Sequence, residues 1–505
     1  MAIRPTFLAF QTASRALAAS QASIDVTGNN IANVNTPGYT RQRVDQTSIS
    51  AGGYVQKYAL PGISTGFGAD IGGITQIRDP FLDVRYREQA SESGRYEAIL
   101  KGLSDLESVF DEASTPGLMN ELASFIDELQ TLSQTPSAPD IAFVVRTAAQ
   151  KVTQMMNVYS SQVLQAKEQQ IFDLSRVLIE NEFNTKVKGI ADLNDQIRKE
   201  QTYGSVPNEL YDKRNLLIDE LSEMANIRVS VRPENISEDI AVERLTISLY
   251  DPRNGSSISL IDGGSHNFLY AEYQEDRLAI GIASSFDAPE DSDITGHFAS
   301  GSIRGYLDLI NGNGVNEFRG APYYLNSVDV LASNFARVLN GLNAAGGIDK
   351  PLFASIDGGP ITAGNIRISA EWLADVTFIT TTHLGEDGGE NILRMISALD
   401  DKTDFYTGGD PALLSVFSGS FHDYLSGLIG EVALDAELYQ NYSDTSANVQ
   451  NGLFAARESM SGVSLNEEGI NLMAYQKSYS AAMRYFTVLD EAVDAIINRM
   501  GLVGR

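Results

Sequence analysis

Gly62-Ile-Ser64-Thr-Gly66 reproduces the Gly-x-Ser-x-Gly pattern of a hydrolase elbow, where a strained strand-to-helix turn presents a serine hydroxyl for attack. The elbow needs a helix after it, and Phe67-Gly-Ala-Asp-Ile-Gly72 has no helical pattern, so Ser64 is expected in an ordinary turn. Asp291-Ser-Asp293-Ile-Thr-Gly296 opens like a calcium loop, whose alternating oxygens surround a hard cation. Its twelfth position is Ser302 in place of the bidentate glutamate, which makes it a polar turn. Asn311-Gly-Asn-Gly314 has two glycines of a dinucleotide loop, but Glu317 stands where the third glycine should be, so a plain turn is expected. His266, His297, His383 and His422 lack the spacing of zinc ligands. Asp400 and Asp401 could exchange a proton, yet in a chain with 66 acidic residues adjacent carboxylates are expected on solvated surface. No catalytic, cofactor-binding or metal-binding residue is assigned, and the chain is expected not to be an enzyme.

Composition narrows the remaining classes. The 505 residues contain no cysteine, which excludes disulfides, thiolate metal sites and cysteine nucleophiles. The formal net charge is −29 and argues against nucleic acid, which needs a basic face. That charge is unevenly placed. Residues 1–100 carry a net of +1 and residues 451–505 a net of −1, so 101–450, with 23 Lys/Arg against 52 Asp/Glu, holds the whole excess. Near-neutral ends can pack against each other or against copies of themselves, whereas an acidic middle suits solvent. The start of the chain lacks the apolar core of a cleaved signal peptide, and no run of about 18 apolar residues predicts membrane insertion.

Elements follow from periodicity. Residues 5–33 read as a helix with Phe7, Phe10, Leu17, Ile24 and Ile31 along one face and many alanines beside them. Asn33 to Tyr39, with its Pro-Gly turn, ends it. Residues 40–78 look extended, and helix resumes near Pro80. From Asp140 to Lys188 there is neither Gly nor Pro, enough for a helix of about 73 Å. Gly189 is the first marked break, and another helix is expected over Asp212 to Met224. From Ile227 the pattern alternates: Val229, Val231, Leu245, Ile247, Leu249, Ile258 and Leu260 predict strands, with Asp251 to Gly255 as a hairpin turn. A helix is expected near Tyr323 to Asn343, and helical pattern again from Gly389. Leu472, Tyr475, Tyr479, Ala482, Phe486, Leu489, Val493, Ile496 and Met500 keep strict three-four spacing in the last helix. Ser464-Leu-Asn-Glu467 opens that helix like a capping box.

The expected fold class is α+β, multidomain and elongated. The terminal helices would pair in a coiled-coil-like inner domain, 1–79 plus 462–505, carrying an N-terminal β extension. A long-helix rod domain would comprise 80–227 plus 389–461, and a β-rich domain with some helix, 228–388, would be inserted between them.

Ala18 through Tyr39 resembles the amino-terminal signature of bacterial flagellar axial proteins, the rod, hook and hook-associated superfamily. Its core is Asn30, Ala32, Asn33, Thr36, Pro37, Gly38 and Tyr39. Ser461 to Glu468, followed by Leu472 and Tyr475-Gln-Lys-Ser-Tyr479, resembles the matching carboxy-terminal signature. Leu210 to Leu221 resembles a segment typical of hook–filament junction members, although Asn466 stands where the superfamily commonly has Asp. The resemblance implies a structural subunit of the flagellum at the hook–filament junction, exported through the type III apparatus without a cleaved signal. It also implies partners: identical subunits, the hook protein, a second junction protein (hook-associated protein 3) and a cytoplasmic export chaperone. It implies no cofactor. In this reading Phe7, Phe10, Leu17, Ile24 and Ile31 pack against the seam of the last helix, and both form the assembly interface. Another axial subunit (rod, hook or second junction protein) is the alternative, and an enzyme or adhesin in the acidic middle is a remote one.

Overall fold

The first helix, α1 (Thr6–Ala32), stops where the Asn-rich turn begins. Asn33 Nδ2 folds back on the Asn29 carbonyl at 3.0 Å, and Gly38 takes a φ of 74°, which a side chain would resist. The computed structural model describes the chain except residues 1–5, 50–65, 67, 111–116, 238–239, 252, 254, 275–276, 285–292, 316–317, 345–347, 383–387 and 500–505. Strands β1 (Gln42–Ser48) and β2 (Ala69–Gln76) then pair antiparallel as an arm. Helix α2 (Pro80–Val109) starts at Asp79, whose carboxylate accepts from Phe81 N at 2.9 Å, with Pro80 in the first turn. Helices α3 (Leu118–Gln134) and α4 (Pro139–Phe172) follow.

The Gly- and Pro-free run is helical throughout. Helix α4 continues through a π-helical stretch, Asp173–Phe183, into α5 (Asn184–Thr202). The sequence accounts for the change of winding. Leu174, Ile179, Phe183 and Val187 are all fully buried, and their five-four-four spacing is wider than an α-helical turn of 3.6 residues. The wider π turn keeps them in line over one core. Gly189 does not break the helix as its type suggests. A Cβ there would lie 3.3 Å from Leu217 Cδ1, so the glycine admits α6 (Asn208–Met224) at close range.

Strands β3 (Ile227–Asn235), β4 (Ala241–Tyr250), β5 (Ser257–Asp262) and β6 (Ser265–His266) form one antiparallel sheet in that order. Gly255 N donates to the Asp251 carbonyl at 2.9 Å in the turn joining β4 to β5. Strands β7 (Phe268–Gln274) and β8 (Arg277–Ala283) make a second hairpin. Helices α7 (Ser302–Asn311) and α8 (Ala321–Asn343) lead to the short pair β9 (Phe353–Ser355) and β10 (Ile366–Ile368), then α9 (Ala370–Ala374) and α10 (Glu390–Asp400). A hairpin, β11 (Thr403–Tyr406) and β12 (Ser415–Gly419), interrupts the region expected to be helical throughout. The last described elements are α11 (Phe421–Ser461) and α12 (Leu465–Asp494), the latter widening into a π-turn, Ala495–Arg499. The molecule is thus α+β, chiefly helical with small antiparallel sheets.

Two hydrophobic cores organise it. One joins the end of α2 to α3, α4, α8, α10 and the start of α11, around Phe125, Phe335, Phe353 and Trp372. The other places the π-stretch, α5, α6 and α7 against β4, β5, β7 and β8. The segment 228–388, expected as one inserted unit, is therefore shared between the cores. Asparagines on α8 explain its second half. Asn340 Oδ1 accepts from Leu352 N and Phe353 N at 2.8 and 2.9 Å, and Asn343 Nδ2 donates to the Lys350 carbonyl at 2.7 Å. These amides stitch the loops after α8 onto the helical core, a role that hydropathy does not record.

Candidate assembly interface

Helices α1 and α12 run antiparallel along each other. Phe10 meets Phe486 edge-to-face at 5.1 Å, Ser20 Oγ lies 3.2 Å from Ser478 Oγ, and Asn30 Nδ2 donates to Glu468 Oε2 at 3.2 Å. On α12 the spaced residues face α1: Ala482 is buried, and Leu472, Tyr475, Tyr479, Phe486, Leu489 and Val493 are half-buried. Ile496 departs from the pattern and is 50% exposed in the final π-turn. Met500 and the side chain of Phe7 lie outside the described residues.

On α1 the covered face is not the one that hydropathy marks. Phe10, Leu17, Ile24 and Ile31 are only half-buried, whereas Ala9, Ala13, Ser20, Ser23, Thr27 and Asn30 are buried. This second set keeps the same heptad spacing one position round the helix. Small side chains let the tyrosines and phenylalanine of α12 close onto the α1 backbone, and the larger apolar residues flank the contact. The alanines and serines were the available signal, but they carry almost no hydropathy.

The signature residues divide into a buried hub and an exposed loop. Asn30 is 1% exposed and uses its whole amide. Its Nδ2 donates to the Gln42 carbonyl (2.9 Å) as well as to Glu468, and its Oδ1 accepts from Gln42 N (3.0 Å) and from Tyr39 Oη (2.9 Å). Two donors and two acceptors at one short side chain define an amide, so asparagine is the residue that fits. Glu468 is also held by Arg41 Nε at 2.7 Å, and Arg41 N donates to the Ser461 carbonyl at 2.8 Å. Burial, followed by the carboxylates of Asp212, Glu209 and Glu468, pushes the Tyr39 hydroxyl up to about 12. Ala32, Thr36, Pro37 and Gly38 are exposed, and Asn33 is half-buried. The expected capping box is half formed. Ser464 Oγ accepts from Glu467 N, but the Glu467 carboxylate turns to Arg41 Nη1 at 2.7 Å instead of back to the cap.

Beneath this hub lies a charge ladder that sequence reasoning missed. Arg78 grips Asp83 through Nε and Nη2, at 3.0 and 2.9 Å. Arg87 Nε donates to Asp219 Oδ1 at 2.7 Å, and Arg457 Nη1 donates to Asp219 Oδ2 at 2.6 Å while lying 3.7 Å from Asp83 Oδ1. The Arg457 guanidinium also sits 4.1 Å over the Tyr86 ring. Asp212 accepts from Thr40 N at 3.2 Å and Gln76 Nε2 at 2.8 Å; burial pushes its carboxyl above the ordinary range, although the Thr40 hydrogen bonds oppose this. The ladder joins the end of the arm, α2, α6 and the end of α11 at the point where the terminal helix pair meets the rest.

The catalytic candidates are dispersed. Ser64 and His383 lie outside the described residues. His266 packs edge-on against Phe268 at 4.8 Å, His297 Nε2 is 2.9 Å from Ser256 Oγ, and His422 Nδ1 is 3.4 Å from Ser426 Oγ. Asp293 accepts from Arg277 and from Thr295 N. Burial and then Asp401 raise the Asp400 carboxyl. Among the described residues no group of three potential ligands could hold a metal ion, and no helix is long and apolar enough to cross a membrane.

Flagellar hook-associated protein 1 of Bacillus subtilis is 31% identical over 99% of this chain and 99% of its own length. The chain belongs to the flagellar hook-associated protein 1 family. The same-named protein of Salmonella typhimurium is 23% identical, covering 95% of this chain and 98% of its own. A family model described as the flagellar hook-associated protein FlgK helical domain matches residues 103–351, and one described as flagella basal body rod protein matches residues 10–40. The latter match spans α1 and the signature loop. Among solved structures, the flagellar hook junction protein FlgK from Burkholderia pseudomallei aligns with a TM-score of 0.56 at 12% identity, covering 74% of this chain and all of that one. That likeness speaks for a shared fold.

Proposed function

We propose that this chain is a structural subunit of the bacterial flagellum, joining hook to filament and assembling through its terminal helices. Full-length similarity to hook-associated protein 1 carries the first part of this reading. The α1–α12 pair supports the second. Its shared seam is only partly covered, and Ile470, Met473 and Val488 on the far face of α12 are 64%, 57% and 60% exposed. Apolar surface left open along a helix pair is surface for copies of the same chain or its neighbours in the structure. The isolated pair would be marginal in solution, so its helices are loose in the monomer and become ordered on assembly.

The subunit works outside the cell after type III export without a cleaved signal, in contact with identical subunits, the hook protein and the second junction protein. A cytoplasmic chaperone covers its ends beforehand. It needs no cofactor and performs no catalysis. Deletion followed by electron microscopy tests the reading. Hooks without filaments, with filament subunit lost to the medium, are expected; normal filaments on the deletion strain would refute it.

A further inference from the structure

The exposed half of the signature closes the turn after α1, with Thr36 Oγ1 donating to Asn33 Oδ1 at 3.2 Å, and leaves its outer side open. The loop at Thr36 and Pro37 lines a 380 Å³ cleft at the joint, together with the apolar Leu216 and Phe454 and the carboxylates of Glu223 and Glu458. Leu216 and Phe454 are 37% and 47% exposed. The arginines of this cleft are occupied by the ladder, and Glu220 is paired with Lys186 at 2.7 Å. Glu223 and Glu458 make no ion pair among the described residues. Burial, then Glu220, Glu97 and Asp219, raise the Glu223 carboxyl, with Lys186 opposing.

The matching surface lies on α12. Residues 469–489 contain two basic residues and no carboxylate, in a chain of net charge −29. Those two, Lys477 and Arg484, stand seven residues apart with Met473, Ala481 and Val488 on the face turned away from α1, all of them exposed. Neither cation has an ion-pair partner among the described residues. Ser461 and Val463, just before α12, line the cleft, while Lys477 and Arg484 lie roughly 18 and 28 Å further along a continuous helix. A subunit therefore cannot place this face in its own cleft.

Building on the self-assembly reading above, we infer that the joint cleft of one subunit takes the Met473–Val488 face of α12 from a second copy, with Glu223 and Glu458 meeting Lys477 and Arg484. The contact joins two different surfaces, so it propagates head to tail around a closed or helical array. It also gives the exposed Thr36-Pro37-Gly38 loop its place, as the wall that orients the incoming helix.

Charge reversal tests the contact in cells whose only copy is the variant. K477E/R484E alters two exposed positions opposite the α1 seam, and filaments per cell should fall at least about tenfold, because like charges then face each other. Adding E223K/E458K should return them toward wild type. Wild-type numbers in K477E/R484E, or no recovery in a fourfold variant whose circular dichroism matches wild type, would overturn the inference. Leu489→Asp, in the α1-facing seam, separates the two readings. Lost filaments there beside wild-type numbers in K477E/R484E sink the cleft contact and leave self-assembly standing; wild-type numbers in both sink both.

Discussion

Arg457→Met isolates the ladder at the joint. Methionine keeps the length of the side chain against Tyr86 and Phe454 and removes the charge. The Asp219 Oδ2 contact at 2.6 Å is a charge-assisted hydrogen bond between groups with side chains 16% and 12% exposed. Such a bond contributes about 1.5–3 kcal/mol, and the guanidinium over Tyr86 adds about 0.5–1 kcal/mol. A wholly unpaired buried charge would cost about 3–5 kcal/mol, but Arg87 still holds Asp219 and Arg78 still holds Asp83, so that penalty is only partly incurred. The net expectation is a loss of about 2–3 kcal/mol, confined to the joint. Amide hydrogen exchange by mass spectrometry reads it, as exchange about 30- to 150-fold faster in peptides covering 79–87 and 457–461. The single tryptophan is an internal control. Trp372 is fully buried in the other core, so its fluorescence transition in urea should stay near the wild-type midpoint. A change below about threefold at the joint, or an equal shift in the Trp372 transition, would refute a local ladder. A cycle with Asp219→Asn should show coupling of at least about 1 kcal/mol.

Three further outcomes are expected. Leu489→Asp should leave the Trp372 transition unchanged and yet prevent incorporation into filaments, since a charge buried on assembly costs several kcal/mol; normal motility with this as the only copy would contradict it. Gly94→Ala should destabilise the chain in spite of the gain of about 1 kcal/mol that alanine brings to a helix. Its Cβ would lie 2.1 Å from the Glu223 carbonyl oxygen, forcing α2 from α6 at about 1–3 kcal/mol, and a raised urea midpoint would count against this. Tyr39, held protonated up to about 12 against an ordinary 10.0, should make the joint lose stability as pH rises from 10 toward 12, because the unfolded chain releases the proton first. Tyr39→Phe should flatten that slope in a pH series of joint exchange, and an identical slope would exclude the group.

The parts of the fold that were legible in the sequence are those whose spacing alone decides the outcome. Along α12 the residues spaced from Leu472 to Val493 are the less exposed ones, and an exposed helix with one neighbouring helix shows such a period cleanly. The buried side of α1 does not read so well, since Ala9, Ala13, Ser20 and Ser23 signal proximity rather than hydrophobicity. The π-stretch was hidden for a different reason. The five-four-four spacing of Leu174, Ile179, Phe183 and Val187 is visible in the sequence, but an α-helical template treats it as lost phase. The ladder could not be read at all. Arg87 and Asp219 are separated by 132 positions and Arg457 and Asp219 by 238, so no local pattern links them.

The contrast between α1 and α12 has its physical origin in how the terminal pair is divided. The α1 residues buried on α12 and the arm are mostly small or polar, with Phe10 against Phe486 as the one aromatic contact described, so apolar burial there is modest. The register of the pair is set by hydrogen bonds: Asn30 spans Glu468, Gln42 and Tyr39, and Arg41 ties Glu468 to the end of α11. A polar hub of this kind specifies one alignment strongly while adding modest net stability, because each bond replaces one to water. The large apolar residues are instead distributed to flanks and outer faces, where a single chain leaves them half-covered or open. Alignment is thus encoded within the subunit, and on the self-assembly reading proposed above the open apolar residues of the pair are the surface that contacts between subunits would cover.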